Sequence, residues 1–121
     1  YNHSYDIFQL LKNKNIMTGI ITSKERKNTL AICSKYGFSA DEIITPNDVK
    51  RGKPNIDSGQ EYLKRTGLNN KDVLYIGDME SDLVFSRNMD FQFLFANYGY
   101  GKINDTNLNK IDNLLDIINY V

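Results

Sequence analysis

Apolar positions fall along this chain in short bursts whose spacing switches between a helical and an extended period. Ile7, Leu10 and Leu11 recur at helical spacing and predict a helix over residues 5–14, with Ser4 placed to cap it. Residues 16–22 are apolar except for Thr18, Gly19 and the closing Thr22, a run that suits a strand covered on both faces. A helix over 25–36 is expected next, with Leu30, Cys33 and Tyr36 along one side and Gly37 as its C-terminal cap. Ile43-Ile44-Thr45 reads as a short strand and Pro46-Asn47-Asp48 as a turn. A helix opening after Pro54 and ending at Gly67 turns Ile56 and Leu63 inward. Then come a strand over 73–77, a helix over 80–88 and a strand over 91–96. A last helix over 109–119 carries Ile111, Leu114, Leu115 and Ile118. Strand and helix alternate throughout, which predicts an α/β fold: a parallel sheet with helices on both faces.

The length of 121 residues corresponds to one domain, able to bury about two-thirds of its unfolded surface. Fifteen basic residues balance 15 acidic ones, so no overall field recruits nucleic acid or an anionic membrane. Cys33 is the only cysteine, which excludes an internal disulfide and favours a reducing compartment. On the inward side of its helix Cys33 reads as packing. His3, near the start, reads as solvated. No apolar run has the length of a membrane span and no basic-then-apolar leader opens the chain, so a cytoplasmic globular unit is expected.

One stretch carries candidate chemistry: Val73-Leu74-Tyr75-Ile76-Gly77-Asp78-Met79-Glu80-Ser81-Asp82. It reads as a buried strand ending at Gly77, a tight turn, and a helix opening near Glu80. In parallel α/β sheets ligands gather at the carboxyl ends of strands beside helix N-termini, which is where Asp78 and Asp82 would stand. Two hard oxygen ligands there suit Mg²⁺. Asp78 and Glu80 at such a place could instead cap the helix and favour its positive end, and spacing alone leaves both readings open. Thr22 and Ser23 put two hydroxyls at another strand end. Lys50, Arg51 and Lys53 surround Gly52, as in a solvated loop, but Lys53 directly precedes an expected helix start.

Thr22 at a strand end, Lys53-Pro54 before a helix, and Gly77-Asp78 with Asp82 after a strand form an ordered set. The set resembles the second, third and fourth motifs of the haloacid dehalogenase-like hydrolases. Ile20-Ile21-Thr22-Ser23-Lys24 is similar to the second motif of their phosphoglycolate phosphatase branch, and Asn97-Tyr98-Gly99-Tyr100-Gly101 to a loop of that branch. The resemblance implies a Rossmann-like three-layer α/β/α core and a Mg²⁺-dependent phosphatase acting on a small phosphorylated metabolite. In this family an aspartate attacks phosphorus, and water hydrolyses the aspartyl-phosphate that forms. Thr22 and the Ser23 amide would hold a phosphoryl oxygen, and Lys53 would neutralise the phosphoryl group and the nucleophile. Asp78 would hold Mg²⁺, and Asp82 would be a second ligand or act through water.

The first motif of the family, an Asp-x-Asp on a strand, has no counterpart. Asp6-Ile7-Phe8 and Asp116-Ile117-Ile118 fall in expected helices and lack the second carboxylate. The family places that strand between those ending here at Thr22 and Gly77, and it also carries a cap domain. Residues 1–121 therefore resemble a partial core, without nucleophile strand or cap. The two flanking strands would either close up and pair, or leave a gap for a partner chain. Met79 and residues 86–90 also depart from the family pattern. Two further readings stand beside the phosphatase: a phosphate-ligand or partner-binding domain without a nucleophile, and a phosphomutase of the same superfamily.

Overall fold

The computed structural model describes residues 4–36, 40–53, 55–96, 109–112 and 114–121, without the side chains of residues 4, 5, 36 and 114. His3, the Ser4 cap, the Tyr36 side chain, the Gly37 cap, Pro54 and the loop at 97–101 lie outside that description. Two parallel ladders carry the fold. Strand β1 (Gly19–Ile21) pairs with β2 (Glu42–Ile44), Ile20 opposite Ile43. Strand β3 (Leu74–Gly77) pairs with β4 (Gln92–Ala96), and β4 with β5 (Lys110–Ile111), giving the order β3-β4-β5. Among the described residues β1 and β3 do not pair with each other.

Side-chain alternation along β3 divides the core into two layers. Leu74 and Ile76 pack against Ile7 and Leu11 of helix α1 (Ser4–Asn13), together with Leu94, Ile111 and Ile117. Val73 and Tyr75 face the other way, toward Phe85 and Met89 of helix α4 (Glu80–Met89) and toward Ile56 and Leu63. Leu63 belongs to helix α3 (Asp57–Thr66), which shares that face. Gly67 ends α3 at φ 72°, a left-handed cap open to glycine at little steric cost, and its amide returns to the Leu63 carbonyl.

Backbone alternation shows which edges stay open. Thr22 N–H donates to the Ile44 carbonyl, and the Thr18 carbonyl accepts from Asp41 and Glu42. Even-numbered residues of this stretch therefore turn to β2, and Gly19 and Ile21 turn away from it. On β3 the Val73 carbonyl accepts from Gln92 N–H, so the Leu74 and Ile76 backbone groups turn away from β4. The edges facing the space between β1 and β3 are thus those of Gly19, Ile21, Leu74 and Ile76. The flanking strands have not closed up.

Three expectations need correction. Residues 109–119 are not an α-helix: Ile111 pairs beside Ala96 in β5, only 1% exposed, and Leu114–Tyr120 form a 3-10 run. Ile111 gains a ladder and a core position at once, which outweighs the helical spacing of its neighbours. In helix α2 (Arg26–Tyr36) Leu30 is 46% exposed, and Thr29 is buried beside Cys33 instead. Thr29 tolerates burial because its hydroxyl donates to the Glu25 carbonyl at 3.0 Å. Leu10 likewise lies on the outer side of α1.

An unforeseen polar knot ties β2 to α2 and α3. Asp48 accepts from Thr45 N–H at 2.8 Å, from Thr45 Oγ1, and from Arg26 and Arg65, each at 3.0 Å. Burial would raise its carboxyl, but these donors outweigh it and hold Asp48 well below the usual carboxylate range.

Candidate active site

Lys53 stands four residues before the start of α3, and its side chain runs to the open ends of β1 and β3. Its ammonium donates to Asp82 Oδ1 at 3.0 Å, to the Tyr75 hydroxyl at 2.8 Å and to the Ile21 carbonyl at 3.3 Å. An ammonium has three protons, so these partners account for all of them. The Lys53 and Asp82 side chains are 16% and 10% exposed, so the pair is largely withdrawn from water. Burial pulls the Lys53 ammonium down, but Tyr75 and Asp82 outweigh it and the group stays above its ordinary value. Burial pushes the Tyr75 phenol up to about 12, so it is neutral at physiological pH and Asp82 supplies the full charge facing Lys53. The ammonium is 5.6 Å from the Tyr75 ring centroid yet 2.8 Å from its oxygen, so it sits off the hydroxyl end and not over the ring face.

Asp82 is positioned by two local features. Its Oδ2 accepts from Met79 N–H at 3.2 Å at the start of α4, half of a capping box. Asp82 therefore caps α4 and faces Lys53 at once. Gly77 permits the approach: a Cβ there would lie 2.6 Å from Asp82 Cγ.

A cavity of about 440 Å³ occupies the space between β1 and β3. Its floor is apolar, with Ile7, Leu11 and Ile16; its walls include Gly19, Ile21 and Ile76; Lys53, Asp78 and Asp82 stand at its polar end. The structure therefore brings Lys53, Asp78 and Asp82 to one mouth. Thr22 and Ser23 follow Ile21 beyond those walls; Ser23 is exposed, and Thr22 Oγ1 accepts from Lys24 N–H at 3.0 Å. Tyr75 was not foreseen as a site residue. The only signal was its place in the strand, two residues before Gly77 and on the face that α3 and α4 cover.

Asp78 and Asp82 offer oxygen donors, the type that Mg²⁺ takes, and Mg²⁺ commonly keeps several waters beside one or two carboxylates. Asp82 has both oxygens engaged, Oδ1 by the Lys53 ammonium and Oδ2 by the Met79 N–H. No group of three or more His, Cys, Asp or Glu able to hold a metal occurs among the described residues. Nor is any helix among them long and apolar enough to cross a membrane.

Pyrophosphatase PpaX of Oceanobacillus iheyensis is 28% identical over 130 residues, covering 100% of this chain and 59% of that protein. The chain thus spans about three-fifths of that relative's length. A solved haloacid dehalogenase-like hydrolase of Bacteroides fragilis superposes with a TM-score of 0.88 at 23% identity, over 97% of this chain and 59% of its own. A structure from Haemophilus somnus, named a phosphoglycolate phosphatase, gives 0.87 at 21% identity, over 99% and 56%. Both superpositions show that the chain shares their α/β fold. The family profile described as haloacid dehalogenase-like hydrolase matches residues 1–96, and the chain belongs to that family.

Proposed function

We propose that this chain supplies the phosphate- and metal-facing part of a Mg²⁺-dependent phosphatase acting on a small phosphorylated metabolite. The observation that carries the reading is the Lys53 ammonium, held against Asp82 at the mouth of the cavity that Asp78 also lines. A buried cation beside an acidic rim suits a phosphate monoester, whose charge it offsets where water is scarce. Thr22 would donate its hydroxyl proton to a phosphoryl oxygen, since the bond from Lys24 uses only a lone pair of that oxygen. The Ser23 amide would donate beside it. Asp78 would hold Mg²⁺, with Asp82 acting through water; the ion would screen the phosphate from an approaching carboxylate.

The attacking carboxylate in this reading comes from a strand seated between β1 and β3. It forms a bond to phosphorus as the bond from phosphorus to the ester oxygen breaks, and that oxygen leaves as an alcohol after taking a proton from water. Water then cleaves the acyl phosphate, releasing orthophosphate and regenerating the carboxylate. The single domain over 1–121 is then a partial core. A cytoplasmic setting fits Cys33, the lone thiol, which burial pushes above its ordinary value and away from reactivity.

The test is hydrolysis of an aryl phosphate with Mg²⁺ by the chain alone, by the chain joined to a segment carrying an Asp-x-Asp strand, and by the Asp78→Asn form of each. Activity in the joined protein, lost with Asp78→Asn, supports the proposal. Equal activity in the chain alone would mean that the nucleophile lies within it. No activity in any form would favour a binding domain.

A further inference from the structure

The Lys53 ammonium rides on a flexible four-carbon stem, and a single ion pair would leave it free to swing around Asp82 Oδ1. A second fixed oxygen removes that freedom. Tyr75 Oη lies 2.8 Å from Lys53 Nζ and 3.4 Å from Asp82 Oδ1, so lysine, phenol and carboxylate form a closed triangle. The phenol is itself immobilised by its neighbours. Its ring lies 5.1 Å from that of Phe85, tilted by 60°, and stacks with Phe93 at 6.4 Å and 21°. Its backbone belongs to β3. The hydroxyl is therefore anchored by the sheet while the lysine arrives from the segment before α3.

We propose that Tyr75 is a positioning residue: its hydroxyl fixes the Lys53 ammonium against Asp82, so the cation stands at the cavity mouth before a phosphorylated ligand arrives. This deepens the phosphatase reading and rests on it for its purpose, but the geometry can be tested without turnover. A cation fixed in advance loses less freedom when a phosphoryl group binds. Phenylalanine at this position would keep the rings packed and release one of the three acceptors of the ammonium, leaving Asp82 and the Ile21 carbonyl.

The experiment is ¹⁵N–¹H correlation of the lysine ammonium groups, with Lys53→Met to assign the Lys53 signal. In the wild-type chain the Lys53 signal is expected to exchange slowly with water and to show a nuclear Overhauser contact to the Tyr75 ring protons. In Tyr75→Phe the exchange is expected to quicken about tenfold or more. Phe93→Leu, which disturbs the packing and keeps the hydroxyl, is expected to preserve the slow signal. Unchanged exchange in Tyr75→Phe, or an equal loss in Phe93→Leu, would overturn the proposal. So would a wild-type Lys53 signal without protection or without the Tyr75 contact. The wild-type contact reads the arrangement even if a variant fails to fold. Inactivity on phosphate esters of the protein joined to an Asp-x-Asp strand, with this contact intact, would overturn the phosphatase reading alone.

Discussion

Lys53 Nζ and Asp82 Oδ1 lie 3.0 Å apart and join the segment before α3 to the first turn of α4. The pair is mostly out of water, so removing one partner strands the other. Asp82→Leu is expected to cost about 3–5 kcal/mol in urea unfolding, and Lys53→Met a comparable amount. The double variant should cost clearly less than the sum of the two. Strictly additive losses would mean that the pair contributes no coupling.

Gly77→Ala tests how closely Asp82 is fitted over the strand end. The added methyl would meet the Asp82 carboxylate, with Cγ 2.6 Å away, and one of them must move. The expected loss is about 1–3 kcal/mol, the usual range for overpacking. The exchange of the Lys53 ammonium protons should quicken with it. A melting temperature equal to wild type would show that the turn at Gly77 gives way freely.

Acid should loosen the knot around Asp48. Its folded carboxyl is held below the unfolded value of about 3.9, so the unfolded chain binds the proton first as pH falls. The stability it contributes is complete above that value and declines below it. Asp48→Asn is expected to lower the melting temperature at pH 6, with the difference from wild type shrinking steadily below about pH 4. A difference independent of pH would assign the effect to shape and not to charge.

The open edges can be read by amide hydrogen exchange. Thr22 N–H is bonded to the Ile44 carbonyl, whereas Gly19 and Ile21 turn toward the space between β1 and β3. Ile21 N–H should exchange faster than Thr22 N–H, and Ile76 N–H faster than Tyr75 N–H, since backbone directions alternate along a strand. Equal protection along both strands would indicate that the edges are paired in solution.

Much of the layered order was legible in the residues because apolar bursts separated by Gly67 and Pro46 leave few other arrangements. The tail was not. Ile111 has the same spacing to Leu114 and Leu115 whether it belongs to a helix or lies alone in a strand, and only the ladder beside Ala96 decides. Thr29 took the inward place expected of Leu30 because a threonine that bonds the turn before it can be buried cheaply. At the site, Asp78, Asp82 and Lys53 were picked out by spacing and resemblance, and the fold gathers them. The part played by Tyr75 was hidden, since a strand tyrosine looks like packing until the lysine that meets it is placed. Arg26 and Arg65 were hidden similarly: their meeting at Asp48 joins residues 22 and 17 positions away in the chain.

The bond from Lys53 to the Ile21 carbonyl makes the lysine a latch across the mouth of the gap. That carbonyl belongs to the open edge of β1, where an incoming strand would seek its own acceptor. A strand seating itself there would take the carbonyl and release one ammonium proton toward the mouth, while Asp82 and Tyr75 kept hold of the other two. Completing the sheet and arming the cation would then be a single event, and the charge would become available only in a core that had closed.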